Sequence, residues 1–104
     1  MILSLVTWPA PAEAPRDADA LLAASIPRYR DVPGLRRKWF VGDGEAVGGL
    51  YEWEDRRSAE RWFDEAWRET MRARYGAEPR VRHFEVAALV DNLAGEVTFR
   101  PDDG

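Results

Sequence analysis

Two side chains in this sequence have the chemistry to move a proton on a small organic molecule. His83 is the only histidine; its ordinary pKa lies near neutrality, so it is the candidate general acid or base. Tyr51 carries a phenol that can hydrogen-bond the oxygen of a phenol, quinone or enolate. Arg37 is a third candidate, since a buried guanidinium needs a carboxylate or an anionic substrate oxygen beside it; on an edge strand it can instead run its stem out to water. Trp39, Trp53, Trp62, Trp67, Phe63 and Met71 could wall a cavity against which a flat ring stacks, though each is more often a core residue. Tyr29 offers one more polar contact. The competing place for His83 is an edge strand at a surface or an interface.

Composition removes other chemistries. The chain has 104 residues and no cysteine, which excludes disulfides, thiolate metal sites and cysteine nucleophiles. A single histidine excludes a multi-histidine metal centre within one chain, and no carboxylates are spaced like a calcium loop. Serine elbows, phosphate loops and dinucleotide fingerprints are missing. No metal and no cofactor are therefore expected. Net charge is -4, and Arg36-Arg37-Lys38 alternates across a strand rather than forming a patch, so nucleic acid is not an expected partner. The excess of arginine over lysine reads as genomic base composition. No segment is long enough to cross a membrane, and a cytoplasmic location is the default.

The elements that position these residues follow from periodicity and punctuation. Ile2 to Thr7 is a branched apolar run that reads as a first strand, not a signal peptide, for it lacks a basic start. Pro9, Pro11 and Pro15 stiffen the connection that follows. Asp17 or Asp19 caps a helix with apolar positions Ala18, Leu21, Leu22, Ser25, Ile26 and Tyr29; Pro27 inside it predicts a kink or a change of helix type. Pro33-Gly34 ends that helix. Leu35 to Val41 and Val47 to Trp53 then form a hairpin about Asp43-Gly44. With Val41 opposite Val47, Trp39 faces Gly49 and Arg37 faces Tyr51. Leu35, Arg37, Trp39, Val41, Val47, Gly49, Tyr51 and Trp53 then share one face. Arg36, Lys38, Phe40, Leu50 and Glu52 share the other, where charges can pair across strands. Gly49 leaves space above the aromatic face, either filled by Trp39 itself or left as the floor of a pocket between sheet and helices.

Asp55 opens a second helix running to about Tyr75. Ala59, Trp62, Phe63, Ala66, Trp67, Thr70 and Met71 make its buried stripe. Gly76 and Pro79 end it. Arg80 to Ala88 is a fourth strand, Asp91-Asn92 a turn or dimer contact, and Val97 to Phe99 a short further strand before a mobile end, Pro101 to Gly104. One domain over residues 1–92 and a tail over 93–104 are expected. The order β-α-β-β-α-β predicts an α+β, ferredoxin-like fold, an antiparallel sheet with both helices on one face. The other face is half apolar and has no cover from its own chain, so a second copy should meet it, giving a homodimer.

Pro33-Gly34 through Lys38, then Gly48-Gly49-Leu50-Tyr51-Glu52-Trp53-Glu54-Asp55, Ser58-Ala59-Glu60 and His83-Phe84-Glu85-Val86, resemble the small mono-oxygenases of the antibiotic-biosynthesis monooxygenase superfamily, over roughly residues 2 to 92. The resemblance implies a dimeric α+β barrel. It implies a cofactor-independent monooxygenase acting on an aromatic, quinol or polyketide-type small molecule. A polyketide cyclase or isomerase using the same pocket, or a non-catalytic dimeric small-molecule binding protein, are its alternatives. The haem-degrading relatives rely on a haem-ligating histidine that no motif here matches. In the oxygenase version His83 or Tyr51 takes or holds a substrate proton, Arg37 steadies the anion, and the anion meets O₂ directly.

Overall fold

The computed structural model describes residues 1–13 and 16–101; Pro15 and residues 102–104, two of the places where a stiff connection and a mobile end were expected, lie outside them. Strand β1 (Ile2–Pro9) is followed by helix α1 (Ala18–Ser25), which passes directly into a 3-10 helix (Ile26–Tyr29). The change of helix type falls where Pro27 removes a backbone donor. Strands β2 (Leu35–Gly42) and β3 (Ala46–Trp53) form the hairpin, with Asp43 Oδ1 accepting from the Glu45 and Ala46 amides at its turn. Helices α2 (Arg56–Trp62) and α3 (Glu65–Tyr75) and strand β4 (Arg80–Glu85) complete the unit. The antiparallel sheet runs β2-β3-β1-β4, the order of a ferredoxin-like fold. A second hairpin, β5 (Ala88–Asp91) and β6 (Glu96–Phe99), stands apart as its own two-stranded sheet. Asp91 holds its turn by accepting from the Leu93 and Ala94 amides.

The single helix expected from Asp55 to Tyr75 is two. Asp55 caps the first, accepting from Ser58 N at 2.8 Å. Asp64 caps the second, accepting from Trp67 N at 2.8 Å. A capping carboxylate satisfies amides only from a non-helical backbone, and Phe63 and Asp64 leave helical geometry accordingly. The apolar stripe survives the break: Ala59, Phe63 and Met71 are buried, with Trp62 and Trp67 packed against them.

The hairpin register also departs from expectation. Arg37 pairs with Glu52, Lys38 with Tyr51, Trp39 with Leu50 and Phe40 with Gly49, while Leu35 still pairs with Trp53. A β-bulge between Leu35 and Arg37 takes up one residue, and a one-residue slip moves every later side chain to the opposite face. The helix-covered face therefore carries Lys38 and Phe40 beside Tyr51 and Trp53. Arg37 and Trp39 lie on the other face, not with Tyr51 as the unbulged register required. Strand β1 anchors the arrangement from the middle of the sheet, with Ile2, Ser4, Val6 and Trp8 all buried towards the helices. Tyr51 and Trp53 are the largest fully buried side chains, stacked at 5.8 Å and 3°. Gly34, at φ +81°, turns the chain into β2 where a Cβ would fall 2.1 Å from Ser58 Oγ, so only glycine fits.

Candidate functional site

A cavity of about 420 Å³ lies between the helix-covered sheet face and the helices α1 and α3. Its floor is β2 and β3, contributing Lys38, Phe40, Gly49 and Tyr51; Trp8 closes one side, stacked on Tyr75 at 4.4 Å. Ala18, Leu22 and Ser25 of α1 and Tyr29 of the 3-10 helix form the roof. Helix α1 has no buried residue, so this roof is lightly held.

Lys38 is the central polar group. It is the one lysine in the chain. Its amine sits 3.2 Å from the ring centre of Tyr29, 4.1 Å from that of Phe40 and 4.7 Å from that of Tyr51. Among the described residues no carboxylate or hydrogen-bond acceptor meets it. Burial first, and the Arg28 guanidinium second, push its pKa down from 10.5 to about 7. Each acts against the charged form, one by desolvation and the other by repulsion. Gly49 makes room for it: a Cβ there would stand 2.9 Å from Lys38 Cε and 3.1 Å from Tyr51 Cε1.

The Tyr51 phenol is held in its neutral form. Burial raises its pKa well above the ordinary value, and neighbouring Tyr29 adds to the effect. Tyr51 is therefore a hydrogen-bond donor and not a base near neutral pH. Among the described residues two buried indole N–H groups, of Trp8 and Trp53, have no acceptor; that of Trp62 lies by the Tyr51 phenol oxygen. Buried indoles usually find one. Trp8 lines the cavity, so an oxygen-bearing ligand could satisfy it.

Of the ten residues singled out in the sequence, Tyr51, Tyr29 and Met71 line this cavity. His83 does not. It faces the helices from β4, its Nδ1 2.7 Å from the fully buried Ser4 Oγ and its ring 5.7 Å from Phe63. Burial, then the Arg56 charge, lower its pKa. Ser4 pairs across the sheet with both Tyr51 and His83, so one buried serine separates the two. Trp53, Phe63 and Trp67 are stacked edge to face in the core. Trp62 borders a separate cavity of about 250 Å³ with Asp31, Pro33 and Ser58. Trp39 is 43 % exposed on the outer sheet face. Arg37, on that face too, donates from Nη1 to both oxygens of buried Glu52 at 3.0 Å. It lines a second cavity of about 410 Å³, beyond Tyr29 and Lys38. Sequence reasoning missed Lys38, Phe40 and Trp8. The available signal was a lone lysine two residues from the aromatic Phe40.

No family model and no curated protein matches the chain. Solved structures do. One is assigned as an antibiotic biosynthesis monooxygenase from Deinococcus radiodurans, with a TM-score of 0.65 and 13% identity over 88% of this chain and 97% of that one. The fold is that of the antibiotic biosynthesis monooxygenases. A second structure with this monooxygenase fold is the monooxygenase of the gene ActVA-Orf6 of Streptomyces coelicolor, in complex with nanaomycin D. Its TM-score is 0.55 at 18% identity, over 80% of this chain and 84% of that one. No described helix is long and apolar enough to cross a membrane.

Proposed function

We propose that the protein is a cofactor-independent monooxygenase that oxidises a flat, hydroxylated aromatic or polyketide-type molecule in the Lys38 cavity. The observation that carries this reading is an amine without an acceptor, set among aromatic rings at the floor of a roofed cavity, whose pKa is lowered to about 7 so that about half of it is neutral at that pH. A base works best when its pKa lies near the working pH. Lys38 Nζ takes the proton of a phenol or enol. The Tyr51 and Tyr29 hydroxyls donate to the resulting oxyanion, and the apolar walls keep water from competing. The electron-rich ring then meets O₂. For an anthrone, the ring CH₂ becomes C=O with one oxygen atom, and the other leaves as water with the two hydrogens. The similar structure solved with nanaomycin D supports a small-molecule ligand for this fold. Proton transfer passes in this reading from His83 to Lys38.

The working unit in this proposal is a homodimer. The outer sheet face exposes Trp39, Val41 and Phe84, with Leu3, Leu5 and Leu50 half-buried between them. The β5–β6 hairpin exposes Val90, Val97 and Phe99. Exposed apolar side chains of this kind mark an interface, and a second copy is their simplest occupant. Light scattering at micromolar concentration checks it; a monomer would remove the dimer from the account.

The test of the activity is oxygen uptake with 1,8-dihydroxyanthrone and 1,4-naphthohydroquinone, with products identified by mass spectrometry. The expected result is one O₂ consumed per anthrone converted to anthraquinone, lost in Lys38→Met. A rearranged product without oxygen uptake would replace this reading with the cyclase one. Saturable tryptophan quenching without any product would replace it with a binding protein.

A further inference from the structure

Lys38 is equipped for a reaction that oxygenation does not use. A neutral amine is a nucleophile as well as a base, and lysines become nucleophilic when desolvated in an apolar pocket or set beside another cation. Lys38 has both conditions, from the rings of Tyr29, Phe40 and Tyr51 and from Arg28. Nothing in the described protein ties the amine down. The cavity beside it has the volume of a bicyclic or tricyclic ring system. The ring faces of Tyr29 and Tyr51 stand over the nitrogen at 3.2 and 4.7 Å.

We propose that Lys38 captures the carbonyl group of a flat aromatic aldehyde or ketone as an imine. This rests on the cavity reading given above, and not on its oxygen chemistry. The nitrogen lone pair adds to the carbonyl carbon, and the C=O π electrons move to oxygen, which takes a proton from a tyrosine hydroxyl or the attacking ammonium. The nitrogen gives up its proton. The new hydroxyl then leaves as water while the C=N bond forms. Carbonyl and amine go in, imine and water come out, and no oxidant or reductant is consumed. The phenol of Tyr51, kept neutral by burial, can hydrogen-bond the carbinolamine oxygen, and the proton that leaves with the water comes from solvent.

The probe is 2-hydroxy-1-naphthaldehyde with sodium cyanoborohydride under nitrogen, read by mass spectrometry and peptide mapping. Because the chain has one lysine, the only other amine is that of Met1. The charged and titratable groups lining the cavities on either side of Lys38 are Asp19, Arg74, Tyr29, Tyr51 and Tyr75 on one and Arg30, Asp31, Arg36 and Arg37 on the other, with Arg28 beside the amine. Modification of Lys38 at pH 7 is expected to be about 1,000-fold faster in the folded protein than in guanidinium, since an ordinary lysine is almost wholly protonated there. The two rates should converge by about pH 11. Equal rates at pH 7, or modification confined to Met1, would overturn the proposal. Trapping consumes no O₂, so it can succeed where the anthrone assay fails, and the reverse.

Discussion

Replacing Lys38 by methionine should make the protein more stable at neutral pH while removing the oxygenase activity proposed for it. The side chains are similar in length, and methionine suits an aromatic cleft. In the wild-type protein the native state holds an amine whose pKa is lowered from 10.5 to about 7. Between those values the unfolded chain binds more protons than the folded one, so wild-type stability rises with pH across that window. Below pH 7 both states are charged and the folded protein bears the full penalty; above pH 10.5 both are neutral and the penalty is gone. Taken whole, the drop corresponds to about 5 kcal/mol. Lys38 keeps partial contact with solvent, and the rings at 3.2 to 4.7 Å attract a cation, so ~2 kcal/mol is the magnitude to expect. Denaturant titrations of both proteins at pH 7 and pH 10, followed by circular dichroism, measure it. Lys38→Met should exceed wild type by ~2 kcal/mol at pH 7, and most of that gain should vanish by pH 10. A difference that is the same at both pH values would refute the claim that an unfavourably buried ammonium is its source.

Three further outcomes follow from the same geometry. The kcat/KM for a phenolic substrate should rise with pH and reach half its plateau at about pH 7, because Lys38 must be neutral to accept a proton; a profile flat from pH 6 to 9 would contradict this. Gly49→Ala should cost ~1–2 kcal/mol in thermal denaturation and lower turnover, since the added methyl meets Lys38 Cε at 2.9 Å and Tyr51 Cε1 at 3.1 Å; unchanged stability and rate would show that the amine needs no room there. Asp64→Ala should cost ~1 kcal/mol by urea titration through loss of the Trp67 amide bond, and a neutral effect would mean that α2 and α3 do not depend on this cap.

Much of the fold was legible because its signals are local. Strand β1 buries alternate residues; Pro27, Gly34 and Gly76 punctuate where they stand; the stripe of Ala59, Phe63 and Met71 holds across two helices. The break at Phe63-Asp64 was hidden in that stripe, because a capping aspartate on the polar side reads as one more surface charge. The site was less legible for a sharper reason. Both hairpin faces carry apolar residues, Trp39 and Val41 on one and Phe40 on the other. Alternation therefore could not locate the bulge between Leu35 and Arg37. That one residue exchanged Arg37 for Lys38 at the cavity. It gave Arg37 to Glu52, and filled the space at Gly49 with the lysine stem. His83 stands out in the sequence for its ordinary pKa, yet the property that matters depends on burial, which lowers the Lys38 pKa to about 7.

The most direct measurement is the titration of Lys38 itself. Protein grown with ¹³C-lysine gives one Cε resonance, because there is one lysine, and its shift against pH reads the amine without any substrate. The account predicts a midpoint of about 7 in the folded protein, returning to the ordinary value in guanidinium. A folded-state midpoint near 10.5, that ordinary value, would leave Lys38 a spectator cation and contradict both the proton-transfer and the imine chemistry assigned to it.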